Sequence, residues 1–271
     1  MKNTIVICEK NLIFSFLHLE KRQKHVIIVF VKHERYYLWG LFRKMAYLEF
    51  GKIDEKTEQR LKEIIENKSF KSYWRKKRAF DLIVSTIILI IAAIPMLIVA
   101  LAIFIDDPHG NPFYKQIRIG RHGDEFYMYK FRTMYVDADK RKEELMEQNE
   151  MDGPVFKIKD DPRITRLGKI LRKLSVDELP QLFNVFRGDM SLVGPRPPPP
   201  NEVAQYTDYD KLRLIVTPGI TCDWQIADNR NDIPFDIWVD MDLNYIENRT
   251  AIGDLKIIFK TPFAMLSATG R

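Results

Sequence analysis

The stretch Leu82-Ile83-Val84-Ser85-Thr86-Ile87-Ile88-Leu89-Ile90-Ile91-Ala92-Ala93-Ile94-Pro95-Met96-Leu97-Ile98-Val99-Ala100-Leu101-Ala102-Ile103-Phe104-Ile105 carries no charge, and nothing else in the sequence is apolar for as long. It exceeds the roughly 20 residues a straight helix needs to cross a hydrocarbon core, so a conventional span is one reading. Pro95 argues for another. Proline removes a backbone donor, clashes with the preceding turn and costs about 3 kcal/mol inside a straight helix, and here it leaves two halves each too short to cross alone. Basic residues also stand on both flanks, Arg75-Lys76-Lys77-Arg78 before the run and Lys115, Arg118, Arg121, Lys130 and Arg132 after it. The positive-inside bias of a spanning helix favours one flank only. A helix that enters one leaflet, turns at Pro95 and returns satisfies length, proline and charge together, provided the backbone groups freed at the bend are buried against protein. A single Pro-kinked span stays open as the alternative.

With 271 residues and a net charge of +6, there is room for one catalytic domain and an extension. The basic balance suits an anionic partner such as lipid headgroups, phosphates or nucleic acid. No recognisable reading helix or RNA-stacking motif accompanies it, so a nucleic-acid partner is not expected. Cys8 and Cys222 lie far apart without metal-ligand spacing, which speaks against a disulfide framework or zinc site and fits a reducing compartment. The first apolar patches are interrupted by Glu9, Lys10, Glu20 and Lys21, so no cleavable signal peptide is expected.

The expected class is α+β: mostly helical and membrane-associated, with a re-entrant helix-break-helix anchor over about 79–105, a small β-hairpin and an amphipathic interfacial helix. Residues 1–70 form an extension of unknown role. It holds a strand-like Val26-Ile27-Ile28-Val29-Phe30-Val31, an aromatic patch at Tyr36-Tyr37-Leu38-Trp39, and a charged helix candidate from Asp54 to Asn67. Residues 71–271 form the catalytic domain. Its Tyr114 to Gly123 segment, punctuated by Gly120 and Gly123, reads as a β-hairpin. From Ile164 to Leu174, Ile164, Leu167, Ile170, Leu171 and Leu174 recur at three- and four-residue steps among Arg163, Arg166, Lys169, Arg172 and Lys173. Such a helix lies flat on an anionic membrane or packs its leucine stripe on a core, and the pattern fits both.

That helix leads into Ser175-Val176-Asp177-Glu178-Leu179-Pro180-Gln181-Leu182-Phe183. Pro180 belongs in a first helical turn, which places Asp177 at or near an N-cap. There the helix dipole favours an ionised carboxylate and a bound phosphate. Ser175 and Glu178 also match a capping box, so the acidic pair reads either as a cap or as chemistry. Arg172 and a divalent cation could hold an anionic substrate beside it. Gly188 to Pro197 forms a turn that holds Arg196 as a clamp for phosphate or nucleotide, or a tight interhelical loop. Tyr129-Lys130-Phe131-Arg132-Thr133-Met134 interleaves Lys130 and Arg132 with aromatics, as phosphate contacts or as the solvated face of a strand.

Taken in order, Lys77-Arg78-Ala79-Phe80-Asp81, the Pro-broken apolar run, Tyr129 to Met134, Ser175 to Leu182, Met190-Ser191-Leu192-Val193-Gly194-Pro195-Arg196-Pro197 and Pro218-Gly219-Ile220-Thr221 resemble the bacterial sugar transferases called monotopic phosphoglycosyl transferases, in their compact form. The resemblance covers about residues 72–262. It implies a re-entrant anchor in the inner leaflet on the cytoplasmic face of the plasma membrane. It also implies transfer of a phosphosugar from a UDP-sugar to a polyprenyl phosphate, with Mg2+, at the start of lipid-linked glycan synthesis. Asp177 matches the family's nucleophile and Glu178 its neighbouring acid, both near the metal. Arg172 resembles a phosphate-binding arginine, and Lys130 and Arg196 substrate-side cations. Downstream glycosyltransferases are a further partner class, and an inactive scaffold that recruits them is the alternative reading.

Three departures from the family pattern stand out. Ala93-Ile94-Pro95 lacks the usual serine before the proline, Cys222-Asp223 follows Thr221 where glycine is usual, and Pro197 to Pro200 makes a stiff, extended run. The contacts that select the sugar are expected in the loops after Pro197 and around Trp224 to Trp238.

Overall fold

The computed structural model describes residues 4–9, 12–21, 24–31, 55–66, 69–142, 144–145, 158, 161–227 and 232–267. Among these, helices predominate over three small sheets, so the α+β class holds. Strands β1 (Thr4–Glu9), β2 (Leu12–Lys21) and β3 (Lys24–Val31) form an antiparallel meander with β2 in the centre, and β3 contains the expected Val26 to Val31 strand. The aromatic patch Tyr36 to Trp39 lies outside the described residues.

Helix α1 (Glu55–Glu66) matches the charged helix candidate of the extension. Ile64 is fully buried in the main core, and Arg60 pairs with Glu247 at 2.8 Å, so this segment packs on the catalytic body.

Helix α2 (Ser69–Asp106) contains the whole apolar run, and Pro95 does not end it. Over Arg75–Asp106 it is long and apolar enough to cross a membrane. It is also two-sided. Lys77, Asp81, Ser85, Ala92, Met96, Ala100 and Ile103 are buried, at the three- and four-residue steps that place side chains on one face of a helix. Outside that stripe, Ile90, Ile91, Ile94 and Leu97 are each at least 70% exposed.

Both ends of α2 are fastened to the same body. At the start, the Lys77 ammonium and the Tyr73 and Tyr245 hydroxyls all donate to the Asp254 carboxylate. Asp81 accepts from Ser191 Oγ at 2.7 Å and from the Leu192 amide at 3.2 Å. Arg78 donates to the carbonyls of Val185 and Phe186 in helix α5 (Gln181–Arg187), where the last turn of a helix leaves acceptors unsatisfied. At the far end, Arg132 Nη1 pairs with the Asp107 carboxylate, and Nη2 donates to the carbonyls of Asp107 and Gly110.

The hairpin expected from the glycine-punctuated segment is formed by β4 (Phe113–Ile119) and β5 (Glu125–Phe131), paired antiparallel with Tyr114 opposite Lys130. After the short α3 (Ala138–Lys142), helix α4 (Arg166–Lys173) begins at Thr165, whose hydroxyl accepts from the Gly168 amide at 2.8 Å. Gly168 is required there, since a Cβ would come within 2.1 Å of the Thr133 carbonyl oxygen.

The chain then runs through α5, β6 (Ser191–Val193), α6 (Pro200–Val203), α7 (Asp208–Lys211), β7 (Gly219–Thr221), α8 (Phe235–Asn248) and α9 (Ala251–Ser267). Strands β6 and β7 pair in parallel, which joins two motifs that are distant in sequence. The main core packs Leu182, Val185, Val193, Leu212, Val239, Leu243 and Ile246 together. A second cluster joins Ala92, Met96, Ala100 and Ile103 of α2 to Phe131 and Leu171.

Asp254→Ala strands a buried Lys77 ammonium without its closest acceptor. Breaking a buried pair from one side costs about 3–5 kcal/mol, so denaturant unfolding of the variant in detergent should show a loss of that size.

Candidate active site

The acidic pair does not cap a helix. Ser175 turns the chain at the end of α4 with φ 52, in the left-handed region, and Val176–Glu178 form a single 3-10 turn before Pro180 opens α5. The Ser175 side chain makes no cap hydrogen bond, so the capping box does not form. The Glu178 carboxylate reaches instead across to β5, where Lys130 Nζ donates to Oε1 at 2.6 Å. The expected N-cap placement of Asp177 is corrected in the same way, because the helix proper begins only after Pro180. A left-handed serine costs of order 1 kcal/mol and persists where its surroundings over-determine it, as functional sites often do.

Asp177 is 7% exposed. Burial pushes its carboxyl up, the neighbouring Glu178 charge pushes the same way, and Lys130 and Arg172 pull it down, for a result of about 6. For Glu178, burial also pushes upward, but the charge and hydrogen bond of Lys130, with Arg196 and Arg118, hold it below the usual carboxylate range. Adjacent acids pushed in opposite directions are a frequent mark of divided chemical roles.

Four cations surround the pair, each placed by a different element. Lys130 is held on β5, whose backbone is clasped by the fully buried Asn184 of α5. The Asn184 Oδ1 accepts from the Tyr129 amide at 3.0 Å, and its Nδ2 donates to the Tyr127 carbonyl at 2.7 Å. Arg172, in the last turn of α4, donates from Nε to Thr133 Oγ1 at 2.9 Å. Arg118 on β4 donates to the Pro197 carbonyl at 3.0 Å, while the Ile119 amide donates to Pro198 at 2.8 Å, so the hairpin holds the loop that carries Arg196. That loop returns over β6 and β7, where Gly219 lets the backbones meet; a Cβ there would lie 2.1 Å from the Gly194 nitrogen. The proline run does not stay extended, because Pro199 precedes α6 and Pro200 is its first residue.

Arg132 stands apart. It was expected among the substrate cations, but its guanidinium is engaged with Asp107 and Gly110 at the end of α2. It fastens the end of the apolar helix.

The leucine stripe of α4 is divided between both of its sequence readings. Leu171 and Leu167 pack on the second cluster with α2, whereas Ile170 and Leu174 are exposed. Val176 and Leu179, on either side of the acidic pair, pack on that same cluster.

Among the described residues, no three His, Cys, Asp or Glu side chains gather as a metal site. Two adjacent carboxylates nevertheless suit Mg2+, a hard cation commonly bound by one or two carboxylates together with substrate phosphates.

Beyond the pair, Arg196, Glu202, Arg213, Trp224, Phe235 and Trp238 line one small hollow. The loops after Pro197 and around Trp224 to Trp238, expected to select the sugar, therefore meet in space. Arg118 and Asn184 were not singled out for the site in the sequence. Arg118 sits between two isoleucines like any strand cation, and nothing local marks Asn184 as a clasp for β5.

The sequence matches the family model for bacterial sugar transferase over residues 72–268. It is 48% identical over 161 residues to the galactosyl transferase CpsE of Streptococcus agalactiae, covering 59% of this chain and 36% of that protein. It is 42% identical over 198 residues to the undecaprenyl-phosphate galactose phosphotransferase of Salmonella typhimurium, covering 72% of this chain and 41% of the relative. It is 39% identical over 198 residues to the exopolysaccharide production protein ExoY of Sinorhizobium fredii, covering 72% of this chain and 87% of the relative. The chain thus spans well under half of the first two relatives and most of the third.

The raised Asp177 carboxyl has a measurable cost to the fold. Its stabilising contribution is fully present below the unfolded value of about 4 and is lost as pH rises through about 6. Without divalent cations, Asp177→Asn should therefore be more stable than the parent above pH 7, by up to about 3 kcal/mol, and no more stable at pH 4. Denaturant unfolding at the two pH values checks this, and equal stability above pH 7 contradicts the account.

Proposed function

For a chain that belongs to the bacterial sugar transferases, we propose transfer of a phosphosugar from a UDP-sugar to a polyprenyl phosphate such as undecaprenyl phosphate, at the start of lipid-linked glycan synthesis. The name of the Salmonella relative supports the lipid acceptor and the transfer of a phosphosugar, and that of the rhizobial relative supports a role in polysaccharide production. The observation that carries it is the acidic pair itself, with one carboxylate raised and one lowered, ringed by cations and bordered by the apolar cluster of α2.

In the proposed reaction, an ionised Asp177 oxygen attacks the sugar-bearing phosphorus. The phosphoanhydride bond to UMP breaks, and its electron pair leaves on UMP. The resulting aspartyl phosphosugar is an acyl phosphate, which retains enough transfer potential for an oxygen of the lipid phosphate to attack next and restore the carboxylate. The charges of Arg172 and Asp177 act on each other, and Arg172 is suited to hold the phosphate oxygens of the donor beside it. Lys130, Arg118 and Arg196 act on Glu178 and supply positive charge where the diphosphate gathers negative charge. Glu178 keeps Lys130 in place through their ion pair. Mg2+ bound by Asp177 and Glu178 would neutralise diphosphate charge and stabilise the leaving group.

The membrane reading is a monotopic enzyme on the cytoplasmic face, anchored by α2 in one leaflet. Attachment of both ends of α2 to one body, with its inner stripe buried along its length, supports this reading over a helix that leaves the body to cross alone. Helix α9 adds a second apolar face through Ile252, Leu255, Phe259 and Phe263, all exposed, and α4 contributes Ile170 and Leu174. Catalysis is assigned to residues 71–271.

Purified protein with a panel of UDP-sugars, polyprenyl phosphate and Mg2+ should release UMP, and chelation should stop it. Asp177→Asn should reduce turnover by at least about a thousandfold and form no phosphosugar adduct; full activity in that variant refutes the nucleophile. Cysteines introduced at Asn3 and Lys260 should both be shielded from an impermeant reagent on intact cells, whereas labelling of one alone indicates a span.

A further inference from the structure

The hollow beyond Arg196 is built for a small neutral group. Its interior space is about 10 Å3, the room of a single water-sized group. Three N–H donors on its lining residues have no hydrogen-bond partner: Trp224 Nε1, Trp238 Nε1 and Arg213 Nε. The residues that carry them are 6%, 6% and 4% exposed. Buried donors are nearly always paired, with protein, water or ligand, so three on residues that line one hollow point to a group received there.

The wall cannot readily collapse to satisfy them. Trp224 and Trp238 stack with centroids 4.2 Å apart and planes within 9°, and Phe235 meets Trp238 edge-on. Arg213 is fixed by its other nitrogens, which bond the Tyr206 hydroxyl and the Asp242 carboxylate. The Glu202 carboxylate completes the lining as an acceptor. A partner here has to accept from N–H groups and donate to a carboxylate within the space of one oxygen. A hydroxyl does both, accepting from two of the three N–H groups and donating its own proton to Glu202. A phosphate is too large and is repelled by Glu202, and a methyl group leaves every donor unpaired.

Building on the proposed nucleotide-sugar reaction, we infer that the hollow lined by Glu202, Arg213, Trp224 and Trp238 receives one ring hydroxyl of the donor, from its hexose or from its ribose. Arg196 links the two places: it lines the hollow and its charge acts on Glu178, so a donor whose diphosphate lies at the acidic pair has a ring within reach. The hydroxyl takes over the bonds that a water makes in its absence. Sites made to bond a hydroxyl reject the analogue lacking it far more strongly than apolar pockets reject one extra methylene. A donor without this hydroxyl should therefore lose about ten- to a hundredfold in kcat/KM.

The test uses the full chain in detergent and the UDP-sugar of a UMP-release panel that turns over best. Each hexose hydroxyl of that donor is replaced in turn by hydrogen, and a second series carries 2′-deoxy- or 3′-deoxyuridine. Ratios of kcat/KM, donor over deoxy donor, are measured for the parent, for Trp238→Phe, which keeps an aromatic wall but removes the N–H, and for Glu202→Gln. One deoxy donor should be disfavoured by the parent, and that ratio alone should shrink toward one in the variants. Shrinkage in the hexose series assigns the hydroxyl to the sugar, and shrinkage in the uridine series assigns it to the nucleoside. Release of UMP with ratios unchanged in every folded variant, or a parent that uses all deoxy donors equally, overturns the inference and leaves the reaction standing. No UMP from any donor overturns both.

Discussion

Helix α2 has to satisfy two solvents at once, and that constraint organises the molecule. Its inner stripe is small where the body comes close, with Ser85, Ala92 and Ala100, and bulkier at Met96 and Ile103, which fill the second cluster. Fully burying a side chain of the latter size stabilises a fold by about 1.5–3 kcal/mol. Its outer face is apolar and mostly isoleucine and leucine, far more contiguous than soluble monomers leave to water, and only an apolar exterior relieves that exposure. Polar fastening is confined to the ends, where Lys77, Arg78, Asp81 and Asp107 find partners on the body.

The electrostatic design follows from where the acidic pair sits. Burial alone would raise both carboxyls. Lys130 lies against Glu178 and breaks the symmetry, so one acid is kept charged while its neighbour is poised closer to neutrality. Separate elements deliver the cations: a strand for Lys130, a helix end for Arg172, the adjoining strand for Arg118 and a glycine-set loop for Arg196. None is free to drift, since Asn184, Thr133 and Pro197 each tie down a residue or the backbone that bears it.

Much of this was legible in the sequence where one physical cause dominates. The apolar run, the hairpin around Gly120, the cationic helix after Thr165 and the segment bearing the acids are local patterns and form close to where they were expected. The errors arise where distant residues compete for the same atoms. Ser175 and Glu178 spell a capping box, but Lys130, brought across by β5, offers Glu178 a charged partner that a lone backbone amide cannot match. Arg132 shares a motif with Lys130, yet β5 ends at Phe131, and Arg132, just past it, pairs with Asp107. That Ile64 packs in the main core was not foreseen, because no sequence signal announces the surface on which it packs. The hollow was foreseen as two loops and not as a place, because their meeting depends on Gly194 and Gly219 passing at contact distance.

The side chains that flank Asp177 touch the same cluster that holds the second half of the apolar helix. Apolar helix and acidic pair are thus one rigid ruler rather than a buoy and a tether. Against a bilayer, the altitude of the carboxylate above the hydrocarbon would be set by packing, so a lipid would be gauged by the height of its phosphate and not by the length of its tail.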